Sequence, residues 1–172
     1  AYATHLLVPH AKYLVDASGI DETWAATLAC SGLTVYSGIA KLPALAPRDW
    51  VVVLGCGGLG MAAIATLRAK GVANVVACDV DDAKLARARA QGAAQTVDTR
   101  GADALDRLKA ISGGAIAGAL DFVGMPATAN LGIAALAKGG HYVLCGLFGG
   151  ETTLSLPPIA QRAISVRGSY VG

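Results

Sequence analysis

Apolar runs and segments of helical pattern alternate along the chain from residue 50 onward. The run Trp-Val-Val-Val-Leu at residues 50–54 is followed by a helical segment over residues 58–70, which ends at Gly71, and by a second apolar run at residues 74–78. Continuous apolar runs are typical of strands in a parallel sheet that is covered on both faces. The pattern therefore predicts a strand, a crossover helix closed by a left-handed glycine, and a second strand.

The same alternation continues towards the end of the chain. It predicts strands at residues 93–97, 118–124, 141–145, 152–156 and 164–171, and helices at residues 81–91, 102–111 and 126–138. Pro157 and Pro158 are expected to break the strand at residues 152–156. Strands that alternate with helices require right-handed crossovers. The expected fold class is therefore α/β, with a doubly wound and mostly parallel sheet.

The first fifty residues do not follow this alternation. They predict a strand at residues 1–8, an irregular segment at residues 12–20 and one helical stretch at residues 22–41, before a proline-containing turn into the sheet. We therefore expect two units, with residues 1–20 as a piece of a separate domain and residues 21–172 as the sheet domain. The chain stops on a predicted strand without a closing helix, and so we expect the sheet domain to be incomplete at its C-terminus.

The composition agrees with a buried sheet and argues against several classes of function. Hydrophobic residues make up 54% of the 172 residues and charged residues 15%, with a formal net charge of +2. So small and dispersed a charge does not predict nucleic-acid binding. No apolar run reaches the ~18 residues of a membrane span, and residues 1–10 lack the basic start of a signal peptide. We expect neither a nucleic acid nor a membrane as a partner.

Four cysteines are spread along the chain without a C-x-x-C pair. Cys78 and Cys145 lie in apolar runs, where a reduced thiol packed in the core is the expected state. A reducing cytoplasm is the simplest compartment for such a set of cysteines.

The most informative local signal is a Gly-Cys-Gly-Gly-Leu-Gly sequence between the first predicted strand and its helix. Gly55 permits a tight turn, Gly57 lets the main chain approach a phosphate, and Gly60 lets the helix pack closely on the strand. The amide groups of the first helical turn, which begins at Gly58 and Leu59, then point at the anion. Taken alone, the motif also fits an ordinary strand–helix–strand unit without a ligand.

Asp79 closes the second apolar run, nineteen residues past Gly60. In dinucleotide-binding units a carboxylate at about this distance accepts hydrogen bonds from the adenosine ribose, whereas NADP sites place an arginine nearby for the 2′-phosphate. No basic residue lies between positions 75 and 83. The predicted cofactor is therefore NAD. Because ligands of such sheets lie at the carboxyl ends of the strands, residues 123–124 and 146–147 are expected to share the crevice.

A set of segments gives a more specific pattern when they are taken together. They are residues 28–36 (Leu-Ala-Cys-Ser-Gly-Leu-Thr-Val-Tyr), the glycine sequence, Asp79, Lys84 and residues 167–172 (Arg-Gly-Ser-Tyr-Val-Gly). In this order they resemble the zinc-dependent medium-chain alcohol dehydrogenases, and the resemblance covers nearly the whole chain. It implies a Rossmann coenzyme domain, preceded by the tail of a GroES-like catalytic domain up to about residue 17.

The resemblance also implies roles for individual residues. Cys30 matches a ligand of the catalytic zinc, and Thr34 matches a residue that lies against the nicotinamide. Asp79 and Lys84 match the pair that holds the adenosine ribose. Main-chain and apolar contacts along the cofactor are implied for Val123, Gly146 and Leu147.

The sequence departs from the family pattern at the metal. The other catalytic zinc ligands of the family, in a cysteine-containing segment and a Gly-His-Glu motif, do not occur in this sequence, and the four-cysteine structural zinc lobe is absent. A catalytic zinc needs three protein ligands, whereas Cys30 is one. We interpret His5, His10 and His141 as surface or packing residues. The resemblance thus implies zinc-assisted hydride transfer from an alcohol to NAD in the full-length protein, and NAD binding without turnover in this chain.

Other functions stay open at this point. A zinc-free quinone or enoyl reductase of the same superfamily would use NADPH and lack a thiolate at position 30, so Asp79 and Cys30 both argue against it. A non-catalytic NAD-binding module is the alternative from a different class. Within the main interpretation the substrate is a small alcohol or polyol. We also expect a homodimer, paired through an exposed sheet edge at residues 152–156.

Overall fold

A single parallel sheet organises the chain. A computed structural model describes residues 3–171, so Ala1, Tyr2 and Gly172 lie outside the described residues. The sheet has six strands in the order β3-β2-β1-β4-β5-β6, and every neighbouring pair is parallel. The strands are β1 (Trp50–Leu54), β2 (Val75–Asp79), β3 (Gln95–Asp98), β4 (Ile116–Asp121), β5 (His141–Leu144) and β6 (Ser165–Gly168).

Helices cover both faces of this sheet. Val51 and Val53 of β1 belong to one buried core and Val52 and Leu54 to the other, so both faces of the strand need apolar side chains. The prediction of a doubly wound α/β fold is therefore confirmed. The helices of the described residues are α1 (Glu22–Thr27), α2 (Leu33–Ile39), α3 (Gly58–Ala69), α4 (Asp82–Ala90), α5 (Ala104–Ser112), α6 (Pro126–Ala135) and α7 (Leu156–Gln161).

The helical stretch predicted at residues 22–41 is present, but it is not one regular α-helix. A π-helical turn, Leu28–Gly32, separates α1 from α2. In this turn the amide of Leu33 donates to the carbonyl of Leu28, five residues earlier. Single π-helical turns are rare and occur frequently at functional sites. This one contains Cys30.

The strand predicted at residues 1–8 is not formed over residues 3–8, and its first two residues lie outside the described range. The side chains of Leu6 and Leu7 are 80% and 93% exposed. A strand needs a hydrogen-bonded neighbour, and none is present for this segment within residues 3–171. A 3₁₀ helix, Ala11–Tyr13, follows this segment.

The prediction of a strand at residues 152–156 is also wrong. These residues are irregular, and α7 begins at Leu156. Pro157 and Pro158 lie in the first turn of α7 instead of breaking a strand, because the first turn of a helix has amides that need no partner within the helix. The sheet edge on this side is β6, which ends at Gly168 and is shorter than predicted. Among the described residues, no helix has both the length and the apolar character needed to cross a membrane.

Candidate functional site

A cleft of about 410 Å³ opens at the carboxyl ends of the strands. It lies where the strand order reverses, between β1 and β4, which is the usual ligand position in a doubly wound sheet. The cleft brings together most of the residues that the sequence had suggested for a cofactor site, and two phenylalanines that it had not. The lining residues are Gly55, Gly57, Gly58, Leu59, Gly60, Asp79, Lys84, Phe122, Val123, Leu147 and Phe148.

The glycines of the loop between β1 and α3 divide into two pairs. Gly55 has a φ of +89°, and a Cβ on Gly60 would overlap the carbonyl oxygen of Gly55, so these two shape the turn itself. Gly57 has an ordinary φ of −78°, and a Cβ on Gly57 or Gly58 would meet no protein atom within 4 Å. The absence of side chains at the second pair keeps the first amides of α3 open to the cleft. This geometry fits a bound diphosphate.

The Asp79 carboxylate connects the end of β2 to the glycine loop. Its Oδ2 accepts from the amide of Cys56 at 2.7 Å, and its Oδ1 accepts from the amides of Val80 at 2.8 Å and Asp81 at 3.1 Å. Its side chain is 7% exposed. A carboxylate has about four acceptor positions, so these three bonds leave room for a further donor such as a ribose hydroxyl.

Lys84 approaches the same carboxylate from the first turn of α4. Its Nζ lies 3.9 Å from Asp79 Oδ1, and its side chain is 38% exposed. Asp81 caps this helix by accepting from the amides of Ala83 and Lys84, and these bonds lower the pKa of the Asp81 carboxyl. The cap fixes the start of α4 and thereby the position of Lys84 beside Asp79.

A fully buried carboxylate, Asp121, organises the opposite wall of the cleft. Its Oδ1 accepts from the amides of Val123 at 2.8 Å and Gly124 at 2.9 Å, and its Oδ2 accepts from the Tyr142 hydroxyl at 2.6 Å. The carbonyl of Asp121 accepts from the amide of Gly146. No local pattern in the sequence indicates a role for Asp121 or Tyr142, because the bond that joins them spans 21 residues.

The loops that follow β4 and β5 pack closely against each other at this wall. A Cβ on Gly124 would overlap the carbonyl of Gly146, and one on Gly146 would overlap the main chain of Val123. The amide of Phe148 donates to the carbonyl of Val123 at 3.1 Å. Gly146 therefore supports the wall from behind, whereas Val123 and Leu147 line the cleft.

Thr34 and Cys30 lie outside the cleft lining. Thr34 is buried on α2, and Cys30 is exposed in the π-helical turn that precedes this helix. No group of three metal-ligating side chains occurs in the described part of the chain. His141 Nδ1 is hydrogen-bonded to the carbonyl of Lys41 and His10 accepts from a nearby amide, as packing and surface residues do. These residues therefore do not by themselves fit a catalytic zinc, which needs three protein ligands.

Cys56 is the one cysteine within the glycine loop, and it is buried. Burial is the main cause that raises the pKa of its thiol to about 12, and the negative charge of Asp79 acts in the same direction. The neutral thiol points away from solvent, with Sγ 3.6 Å from the carbonyl of Cys78. It is a packing group in this loop, not a nucleophile.

Comparisons with known proteins agree with this geometry. The alcohol dehydrogenase of Moraxella sp. is 36% identical, and the NAD-dependent alcohol dehydrogenase of Sulfurisphaera tokodaii is 35% identical. Both matches cover all of this chain and 50% of the relative. The crystal structure of the alcohol dehydrogenase from the archaeon Aeropyrum pernix matches with a TM-score of 0.79 at 34% identity, over 86% of this chain and 43% of that one.

The chain thus spans about half the length of the curated relatives it matches. A family model described as zinc-binding dehydrogenase matches residues 58–172, which is more than half of the chain. The chain belongs to the zinc-binding dehydrogenase family.

Proposed function

We propose that this chain is the NAD-binding part of an alcohol dehydrogenase that acts on a small alcohol or polyol. The observation that carries the proposal is that one cleft combines the open amides at the start of α3 with the Asp79 carboxylate at the end of β2. The names of the relatives, alcohol dehydrogenase and NAD-dependent alcohol dehydrogenase, support the same activity for the full-length protein.

Each part of the cleft has a task in this proposal. A bound NAD supplies the hydride acceptor. The amides from Gly57 to Gly60 would bind its diphosphate, and Asp79 with Lys84 would hold the adenosine ribose. Val123 and Leu147 would line the nicotinamide end, with Gly146 behind them and Thr34 on the neighbouring helix.

Substitution of Gly57 by Ala tests the site without straining the fold. The backbone at Gly57 is allowed for alanine and the new methyl group meets no protein atom, so it can only occupy the space of the ligand. We expect the affinity for NADH, measured by fluorescence titration, to fall by about tenfold or more, because the diphosphate must approach this main chain closely.

Gly168→Ala is the matched control, since a Cβ there also meets nothing within 4 Å and Gly168 ends β6 outside the cleft lining. It is expected to leave NADH affinity unchanged. Equal affinities for the wild type and Gly57→Ala would contradict the proposed site. Tighter binding of NADPH than of NADH by the wild type would favour the reductase alternative.

The chemistry of the full-length protein requires more than this chain offers. We propose that Cys30 is one zinc ligand there, and that this chain alone binds NAD without oxidising an alcohol. A rapid increase in absorbance at 340 nm with NAD and a primary alcohol would overturn the second statement. We also propose that residues 1–20 belong to a catalytic domain and residues 21–172 to the NAD-binding domain. The exposed side chains of Leu6 and Leu7 agree with a surface that another part of the protein covers.

We also propose that the protein forms a homodimer in the cytoplasm. The edge strand for pairing is β6, where Val166 is 49% exposed, and not the irregular segment at residues 152–156. Open strand edges pair readily with a second copy. We expect sedimentation analysis to give twice the mass of one chain. A single species at the mass of one chain, at all concentrations tested, would contradict the dimer.

A further inference from the structure

An arginine follows β3, the strand next to Asp79, although it is not among the residues that line the cleft and the sequence around Asp79 contains none. Asp98 of β3 is the register partner of Asp79 on β2, and the amide of Thr99 donates to the carbonyl of Asp79 at 3.1 Å. Arg100 is the next residue, and its guanidinium contacts Asp82 at the start of α4. The two residues are 18 positions apart in the chain, so only the fold reveals their proximity.

Two carboxylates hold this guanidinium. Asp98 accepts from Nε at 2.9 and 3.0 Å and from Nη2 at 2.7 Å, and Asp82 accepts from Nη2 at 2.9 and 3.1 Å. These contacts lower the pKa of the Asp98 carboxyl and raise that of Arg100. The Nη1 group makes no hydrogen bond to the described part of the chain, and the side chain of Arg100 is 55% exposed. One face of the fork is therefore available to a ligand.

The local charges explain why this arginine does not by itself make an NADP site. Asp82 and Asp98 contact Arg100, and Asp79 lies 3.9 Å from the Nζ of Lys84. Asp81, which accepts from the main-chain amide of Lys84, adds a fourth carboxylate nearby. A 2′-phosphate brings further negative charge and would be repelled. Arginine is otherwise well suited to bind phosphate, because its planar fork donates two parallel hydrogen bonds.

We propose that Arg100 is a specificity-determining residue, a latent 2′-phosphate ligand that Asp82 and Asp98 restrain and neutralise, so that the cleft selects an unphosphorylated ribose. This inference rests on the proposed NAD site. Asp79 is then the first barrier to NADP, and the two carboxylates on Arg100 are the second. Removal of both barriers turns the same arginine into a ligand for the phosphate.

Four variants test the idea by fluorescence titration with NADPH and NADH. Asp79→Ser removes the first barrier, and adding Asp82→Asn also removes the charge of one of the two carboxylates that hold Nη2 of Arg100, while Asp98 still accepts from it. We expect the second variant to bind NADPH about tenfold more tightly than the first, the gain typical of a charge-assisted hydrogen bond. Adding Arg100→Met to it should abolish this gain. Lys84 is unchanged throughout, so its contribution to phosphate binding cancels.

Asp79→Ser with Asp106→Asn is the matched control for charge alone. Asp106 is exposed on α5 and makes no contact with Arg100, so the loss of its charge should change NADPH affinity less than twofold. The proposal would be overturned by any of three results. The gain in NADPH affinity could persist in the Arg100→Met variant, Asp106→Asn could give an equal gain, or Asp82→Asn could give none.

Titration of the wild type with NADH separates the two proposals. If the wild type binds NADH and Arg100→Met does not change the gain in NADPH affinity, the proposed role of Arg100 is wrong and the NAD site stands. Absence of NADH binding by the wild type would remove both. Thermal unfolding of each variant, monitored by circular dichroism, identifies any variant whose affinity falls because the fold is lost, and Arg100→Gln, which also removes the charge, then replaces Arg100→Met.

Discussion

The four cysteines of this chain have different surroundings. Cys30 is exposed in the π-helical turn, whereas Cys56, Cys78 and Cys145 are buried. Burial raises the pKa of each of the three buried thiols, which keeps them in the unreactive neutral form. Reactivity follows the thiolate and its access to solvent, so only Cys30 is available for chemistry.

Thiol labelling of the native chain should therefore report one cysteine. With a disulfide reagent at pH 8, we expect Cys30 to react within minutes and the other three only after denaturation. The variant Cys30→Ser is expected to show no rapid reaction. Rapid reaction of two or more thiols in the native wild type would contradict the burial of Cys56, Cys78 and Cys145.

For individual residues, the contacts that the sequence predicts agree with the structure where the two partners lie within one short segment of the chain. The spacing of Asp79 from the glycine loop is short and lies within one strand–helix–strand unit, so the sequence predicts that they meet, and the amide of Cys56 donates to Asp79. Asp121 contacts Tyr142 across the neighbouring strands β4 and β5, and Arg100, after β3, contacts Asp82 at the start of α4. Nothing in the spacing of those residues indicates the pairing, and the sequence could not predict it.

At the scale of elements, the strands β1 to β5 and the helices between them follow from apolar runs and glycines alone. The errors at residues 3–8 and 152–156 have another origin. A strand exists only with a neighbour, which short alternation does not specify. Pro157 and Pro158 are also ambiguous, since proline both ends strands and begins helices.

Tyr142 joins two elements, because its hydroxyl on β5 donates to Asp121 at the end of β4. Tyr142→Phe leaves a buried carboxylate with one donor fewer, and we expect the free energy of unfolding in urea to fall by about 1–3 kcal/mol. The Val123–Gly124 wall depends on the same carboxylate, so NADH affinity should fall as well. Tyr36→Phe is the control, since Tyr36 is 57% exposed; an equal loss in both variants would contradict the role of the buried bond.

At the scale of the whole molecule, the buried ionisable groups set the response of the fold to alkali. The pKa of Cys56 rises from an ordinary value of 9.0 to about 12, and those of Cys78, Cys145 and Tyr142 also rise, with burial as the first cause. The unfolded chain ionises at lower pH than the folded chain. The stabilisation is therefore complete below about pH 9 and is lost as the pH rises towards about 12.

Urea unfolding at pH 8 and pH 10.5 measures this loss. We expect the midpoint to fall with pH in the wild type and to fall less steeply in Cys56→Ala, because one of the groups that titrate on unfolding is gone. Cys30→Ala removes an exposed thiol and should keep the wild-type slope. A midpoint that does not change between the two pH values would contradict the buried neutral thiols.

The loops after β4 and β5 are in close contact, and this contact limits how that wall of the cleft can move when a ligand binds. Gly124 and Gly146 leave no space for a methyl group between them, and the amides of Phe148 and Gly149 donate to the carbonyls of Val123 and Gly124. We therefore expect the two segments to shift together when either of them moves. A side chain at either glycine would require both loops to move apart, so we expect Gly124→Ala and Gly146→Ala each to displace this wall of the cleft.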